Sequence, residues 1–176
     1  MGPGAAPTQT SRRKDRLVST KSDFAEEDWK RIVRAPFVAG LAITLADPGG
    51  PIEAAKETMA TVKSATNPPS REPLLADVAL DIQAMAQQHQ NPAKGFTLTK
   101  GEEPGKQIVE ELRGAMDLVR AKATPEEAAA FSTWLQLTAQ EAADAAKEGG
   151  FMGFHAEQVS AREQAMLDEV RAAVST

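Results

Sequence analysis

Few side chains in this 176-residue chain have the type and spacing to do chemistry. There are two histidines, His89 and His155, and no cysteine. Thiol nucleophiles, disulfides and thiolate metal sites are therefore excluded. Neither histidine follows a glutamate by three residues, because Ala86 and Met152 stand at those places. The Glu-x-x-His pairs of di-iron bundles are thus absent, and so is a His-Glu-x-x-His zinc motif. The stretch Gly101-Glu102-Glu103-Pro104-Gly105-Lys106-Gln107 has the outline of a phosphate loop but three residues between its glycines. A phosphate loop needs four, and it needs a Ser or Thr where Gln107 stands. The carboxylate pairs Glu102-Glu103, Glu110-Glu111 and Glu126-Glu127 are adjacent in sequence. Adjacent residues on a helix do not face each other, so these read as solvated faces and first-turn acids. This reading yields no catalytic residue, no metal ligand set and no cofactor.

Two stretches remain as binding candidates. Phe151-Met152-Gly153-Phe154-His155 places three large apolar side chains and a histidine in a glycine-rich connector. Phe151, Met152 and Phe154 either fold back and close one end of the protein or form an exposed patch. Such a patch would take an unidentified protein partner or a second copy of the chain. His155 is the better placed of the two histidines for a function. His89 falls at a helix C-terminus, where a surface imidazole is compatible with the helix dipole. Asp47, in the turn Asp47-Pro48-Gly49-Gly50, is the remaining candidate for ligand contact.

These candidates are positioned by helices. Alanine is abundant, tyrosine is absent, and aromatic residues make up only 5% of the chain, a bias against strands. The central element is Ala35 to Ala46, which carries no charged residue. A segment apolar on every side is buried on most of its surface, Leu41 included. An amphipathic helix precedes it from Asp23, where Asp23-Phe24-Ala25-Glu26 has capping-box spacing. Pro36 lacks an N–H and disfavours helix at Ala35, which predicts a kink or break between the two. After the Gly-Gly turn, Pro51 opens a helix whose inward stripe is expected to be Ile52, Ala55, Met59 and Val62. Ser70 and Pro73 open the next, with Leu74, Leu75, Val78, Ile82 and Met85 inward. An irregular stretch from Gln90 to Gly105 follows, with Phe96 and Leu98 pinning it to the core. Ile108, Leu112, Met116 and Val119 mark another helix. Thr124-Pro125-Glu126-Glu127 starts a long one, and Ser160-Ala161-Arg162-Glu163 starts the last.

Two places share one plan. An alanine-rich helix ends at Gly49-Gly50 and another at Gly149-Gly150, and a capped helix follows each. This outline resembles small all-helical proteins of the TerB (tellurite-resistance) type, over Pro36 to Met59 and Ala142 to Val170. The segment from Ala146 to Glu163 also resembles uncharacterised bacterial helical proteins. The resemblance implies a helical bundle and a stress-related setting. Metal binding is not carried over, because the first turn offers only Asp47 and Glu53 and the second is mostly apolar.

Charge and length complete the expectation. The net charge is −5, but residues 1–23 carry Arg12, Arg13, Lys14, Arg16 and Lys21 against Asp15 and Asp23, leaving an acidic body. An acidic body argues against nucleic acid as the main partner. No apolar run is long enough for a transmembrane segment, and no secretory signal is evident, so a cytoplasmic location is expected. The expected protein is all-α: a compact bundle of five to seven helices, with two pseudo-repeated helix–Gly-Gly turn–helix hairpins. Residues 1–22 form a disordered basic tail and residues 23–176 a single helical domain. Its expected role is that of a non-enzymatic interaction or scaffold protein. The alternative is a small-molecule binder or enzyme with a pocket near the two Gly-Gly turns.

Overall fold

A computed structural model describes residues 18–48, 50–147 and 159–175. Within them the fold is all-α. A 3-10 turn at Lys21–Asp23 is followed by α1 (Glu26–Ala46), α2 (Pro51–Thr66), α3 (Pro73–Gln87), α4 (Pro104–Lys122), α5 (Pro125–Lys147) and α6 (Ala161–Val174). No strand occurs among the described residues.

The uncharged segment is the hub. α1 packs against each of the other five helices. Ala35, Pro36, Phe37, Val38, Ala39, Gly40, Ala42 and Ile43 are all buried within it. Leu41 departs from expectation: it is only half-buried, at the one outward gap in that run. Pro36 departs as well, because α1 continues through it as one helix of 21 residues. An interior proline costs about 3 kcal/mol. Burying side chains such as Phe37, Val38 and Ile43 returns about 1.5–3 kcal/mol each, so packing outweighs the local penalty.

Two of the expected helix starts carry their capping boxes, whereas those at Asp23 and Ser70 are displaced, the N-cap of α3 being Glu72 without a side-chain cap. Thr124 and Glu127 form a reciprocal box, with Glu127 N–H donating to Thr124 Oγ1 and Thr124 N–H to Glu127 Oε2, both at 3.1 Å. Ser160 and Glu163 do the same at the start of α6. The box expected at Asp23 is not at the start of α1, whose N-cap is Ala25. Asp23 instead closes the preceding 3-10 turn by accepting from the Thr20 N–H at 2.9 Å. Glu26, Glu27 and Asp28 then supply a first turn that suits the helix dipole.

The folded region also begins earlier than residue 23. Ser19 is buried, and its N–H is shared between both Glu127 carboxylate oxygens at 3.0 and 3.1 Å. Its hydroxyl donates to the Lys122 carbonyl, while Lys122 Nζ donates to the Asp23 carbonyl. Residues 18–22, assigned from sequence to the tail, therefore strap across the corner between α4 and α5.

Two glycines permit close approach of neighbours. A Cβ at Gly40 would overlap the Thr61 side chain of α2, and one at Gly114 would overlap the Arg31 guanidinium. Overpacking of this kind costs about 1–3 kcal/mol. Gly40→Ala should therefore lower the unfolding free energy by about that amount in urea titration, the neighbour being Thr61 backbone-proximal atoms rather than a flexible tip. Val38, fully buried, is the position at which a charge should be disastrous. Val38→Asp is expected to abolish cooperative unfolding monitored by circular dichroism, because the carboxylate has no partner there.

Candidate docking face

α2 has the opposite phase to the one its apolar pattern suggests. Ile52 is 71% exposed, Met59 72% and Val62 40%, and Ala55 is exposed beside them. The stripe expected to face the core faces solvent. The buried face is Glu57, Thr61, Ser64 and Ala65.

The cause is size and hydrogen bonding. α2 lies against α1, where Gly40 leaves room only for a side chain such as Thr61. It also lies against α5, where Trp134 is fully buried and needs an acceptor. Trp134 Nε1 donates to the Ser64 carbonyl at 2.9 Å, and Ser64 Oγ is 3.0 Å from Thr138 Oγ1. Thr138 in turn donates to the Trp134 carbonyl. A buried indole N–H left unpaired would cost about 1–3 kcal/mol, and the Ser64 main-chain carbonyl reaches it only while small residues let α2 lie close to α5. The signal was present in the sequence: Glu57, Thr61 and Ser64 have helical spacing too, opposite a glycine and a tryptophan that favour small polar neighbours.

Glu57 is the least comfortable member of that face. It is 1% exposed, and its Oε2 has no hydrogen-bond partner among the described residues. Burial raises its carboxyl above the ordinary value of 4.5, the Thr44 hydroxyl opposes the rise, and Glu163, Glu53 and Asp47 add to it. Both neighbouring glutamates are held at helix N-termini, Glu53 on the Gly50 N–H and Glu163 on the Ser160 N–H. Sequence reasoning passed over Glu57.

Of the residues singled out from sequence, Phe151, Met152, Phe154 and His155 lie outside the described residues, as do the second Gly-Gly turn and the basic residues before 18. Asp47 is partly exposed, and its carboxylate is 3.9 Å from Arg162 of α6, a loose ion pair between the first turn and the last helix. His89 is exposed, with a positive φ of 54° at the end of α3. Phe96 packs on the core as expected, whereas Leu98 is 39% exposed. No group of three His, Asp or Glu side chains among the described residues is placed to hold a metal ion.

A groove of about 1100 Å³ runs beside the first half of α1, bordered by Trp29, Arg34, Asp81, Met85 and Gly95. Its charges are largely tied to one another. Lys21 pairs with Asp81 at 2.6 Å, and Asp81 also accepts from Trp29 Nε1 at 2.7 Å. The hydrogen bonds that Lys30 donates to Glu26 and then Glu27 push it up to about 12. Arg31 and Arg34 share Glu111 of α4 at 2.9 and 2.6 Å. Trp134 is fully buried at its seam and does not border the groove. Asp47 and Trp134 are not among its lining residues.

No family model, no curated protein and no solved structure matches the chain. No helix among the described residues is long and apolar enough to cross a membrane. The functional reading therefore rests on the geometry.

The Glu57 environment sets a pH dependence of stability. Its raised folded-state value means that the folded protein binds the proton more tightly than the unfolded chain. The contribution is fully present below the ordinary glutamate value of 4.5 and is lost as pH rises through the raised one. Glu57→Gln should remove this loss, giving a higher melting temperature than the parent at pH 7 and a smaller gap between the two at pH 4. Parallel melting curves across that range check it.

Proposed function

We propose that this chain is a non-enzymatic helical interaction protein that docks a partner on the outward face of α2. The observation that carries the reading is the exposure of Ile52, Ala55, Met59 and Val62 along one face. Single exposed apolar residues are ordinary, but four at helical spacing form a continuous stripe about 15 Å long. Leaving Ile52 or Met59 in water forgoes about 1.5–3 kcal/mol per side chain. Leu80 of α3 is 61% exposed and sits one turn before Gln83, whose amide donates to the Thr66 carbonyl at the end of α2. The expected partner site at Phe151, Met152 and Phe154 becomes a second contact within the same proposal. The stress-related setting implied by the TerB-type outline belongs to the proposal as well.

The reading is tested with Met59→Ser combined with Val62→Ser. Both side chains are exposed, so the unfolding free energy should change by no more than about 0.5 kcal/mol. The same variant, immobilised, should fail to retain from an extract of its own cells a protein that the parent retains. Retention unchanged by the double substitution, or a loss of several kcal/mol in stability, would remove the basis for the reading.

A further inference from the structure

The groove beside the first half of α1 has one part whose positive charge is not fully answered. Arg34 Nε and Nη2 both reach Glu111 Oε1 at 2.6 Å, and Arg31 Nη2 reaches Glu111 Oε2 at 2.9 Å. Two guanidiniums thus share one carboxylate. The Arg34 side chain is 14% exposed and that of Glu111 11%, so the surplus charge is held largely out of water, where an unmatched charge is costly. Arg34 Nη1 has no partner among the described residues. Beside it stands Gly95 at a φ of +92°, and a Cβ there would lie 3.0 Å from Nη1. Glycine accepts that backbone and leaves the guanidinium edge uncovered. The Gly95 N–H also donates to no group among the described residues, because the turn bonds of this loop run from Lys94 to Asn91 and from Phe96 to Ala93. Lys94 is exposed and borders the groove with Arg34 and Gly95. A guanidinium N–H, a main-chain N–H and an ammonium group therefore border the same part of the cavity, all of them donors that suit an anion.

We propose that this part of the groove seats the carboxylate of a small organic monoanion whose apolar body lies along α3 toward Trp29. Ala84 and Met85 of α3, with Pro92 just after it, are half-buried and supply an apolar wall. A mainly apolar lining with a few convergent polar groups is the usual composition of a small-molecule site. Charge limits the occupant to one negative charge. Arg31, Arg34 and Glu111 together carry one positive charge, and Lys94 adds a solvated one at the rim. Most acids of the groove are answered elsewhere: Lys30 holds Glu26 and Glu27, and Lys21 holds Asp81. Asp28 also borders the groove. It lies about 9 Å along α1 from Arg34 and about 120° around the helix. That separation leaves the seat positive while disfavouring a second negative charge on the ligand. A phosphate monoester, which carries roughly −1.5 to −2 at pH 7, is the poorer match. A carboxylate has one charge and two coplanar acceptors for an arginine edge and a neighbouring N–H. The groove shares no lining residue with α2, so this inference stands apart from the docking reading.

The test titrates the full chain, labelled at backbone amides and methionine methyls, with octanoate, octanamide and octyl phosphate. Octanoate should shift the Gly95 amide and Met85 methyl signals and bind about tenfold more tightly than octanamide, with the preference shrinking as salt rises. Lys94 is exposed and outside the ion pairs of the groove, so Lys94→Glu should leave the melting temperature unchanged while weakening octanoate about fivefold. Equal affinity for octanamide, or octanoate binding unaltered by Lys94→Glu, overturns the anion seat. Tighter binding of octyl phosphate than of octanoate overturns the limit to one negative charge. Shifts confined to the Met59 methyl place the acid on the outward stripe of α2 and overturn the groove as its site. Absence of shifts with all three compounds overturns the proposal.

Discussion

The distance at which α2 can approach its neighbours governs much of this structure. On one side stands Gly40, without which Thr61 would have no space. On the other stands Trp134, whose indole N–H must find an oxygen. Small side chains satisfy both demands, because the oxygen is the Ser64 main-chain carbonyl and it reaches the indole only at close approach. Thr61, Ser64 and Ala65 meet these demands, so they turn inward although larger apolar residues were available on the same helix. The outward stripe is then a consequence of the seam. Its residues could not enter without pushing α2 away from α1 and stranding a polar group on α5. A core normally selects for apolarity; here closeness of approach ranks higher, and a surface results that water does not favour.

The polar groups taken inside are unequal in their satisfaction. Ser64, Thr138 and Trp134 form a closed circuit in which each partner finds another. Glu127 is buried as well, yet it is surrounded by donors: the Ser19 and Thr124 amides reach its oxygens. Glu57 has the Thr44 hydroxyl and little else, in a neighbourhood that already contains Glu163, Glu53 and Asp47. Two glutamates of similar burial therefore have opposite meanings. One is an anchor whose charge is matched by backbone dipoles at a helix N-terminus. The other is a carboxyl that the fold holds more easily with its proton on.

How much of this could be read from the sequence depended on the range of the forces involved. The starts of α5 and α6 were legible because Thr124 with Glu127, and Ser160 with Glu163, settle their own backbone within four residues. The central role of Ala35–Ala46 was legible because a segment without charge can be accommodated only inside. The continuity of α1 through Pro36 was not, since the local rule for proline is overruled by contacts with five other helices. The phase of α2 was not legible from its own periodicity. Ile52, Ala55, Met59 and Val62 make a sound inward stripe until Gly40 and Trp134, far away in the chain, are set beside the other face. The stripe expected to belong to the core thus lies on the outside, and the binding candidates read from sequence were other residues. Ser19 was missed for the same reason, its partner being 108 residues away.

That last separation has a consequence for how the protein is made. The Ser19 amide donates to both oxygens of the Glu127 carboxylate, which Thr124 alone serves from within its own helix start. During synthesis, Ser19 leaves the ribosome long before Glu127 exists. At about 5–20 residues per second, the gap is roughly 5–20 s. α1 faces the same wait for α4 and α5, which supply much of its cover. The uncharged half of the hub helix is therefore synthesised well before most of its cover, and the strap can close only after the long helix has begun. The Ser19 strap, early in the sequence, is thus among the last contacts to be fastened.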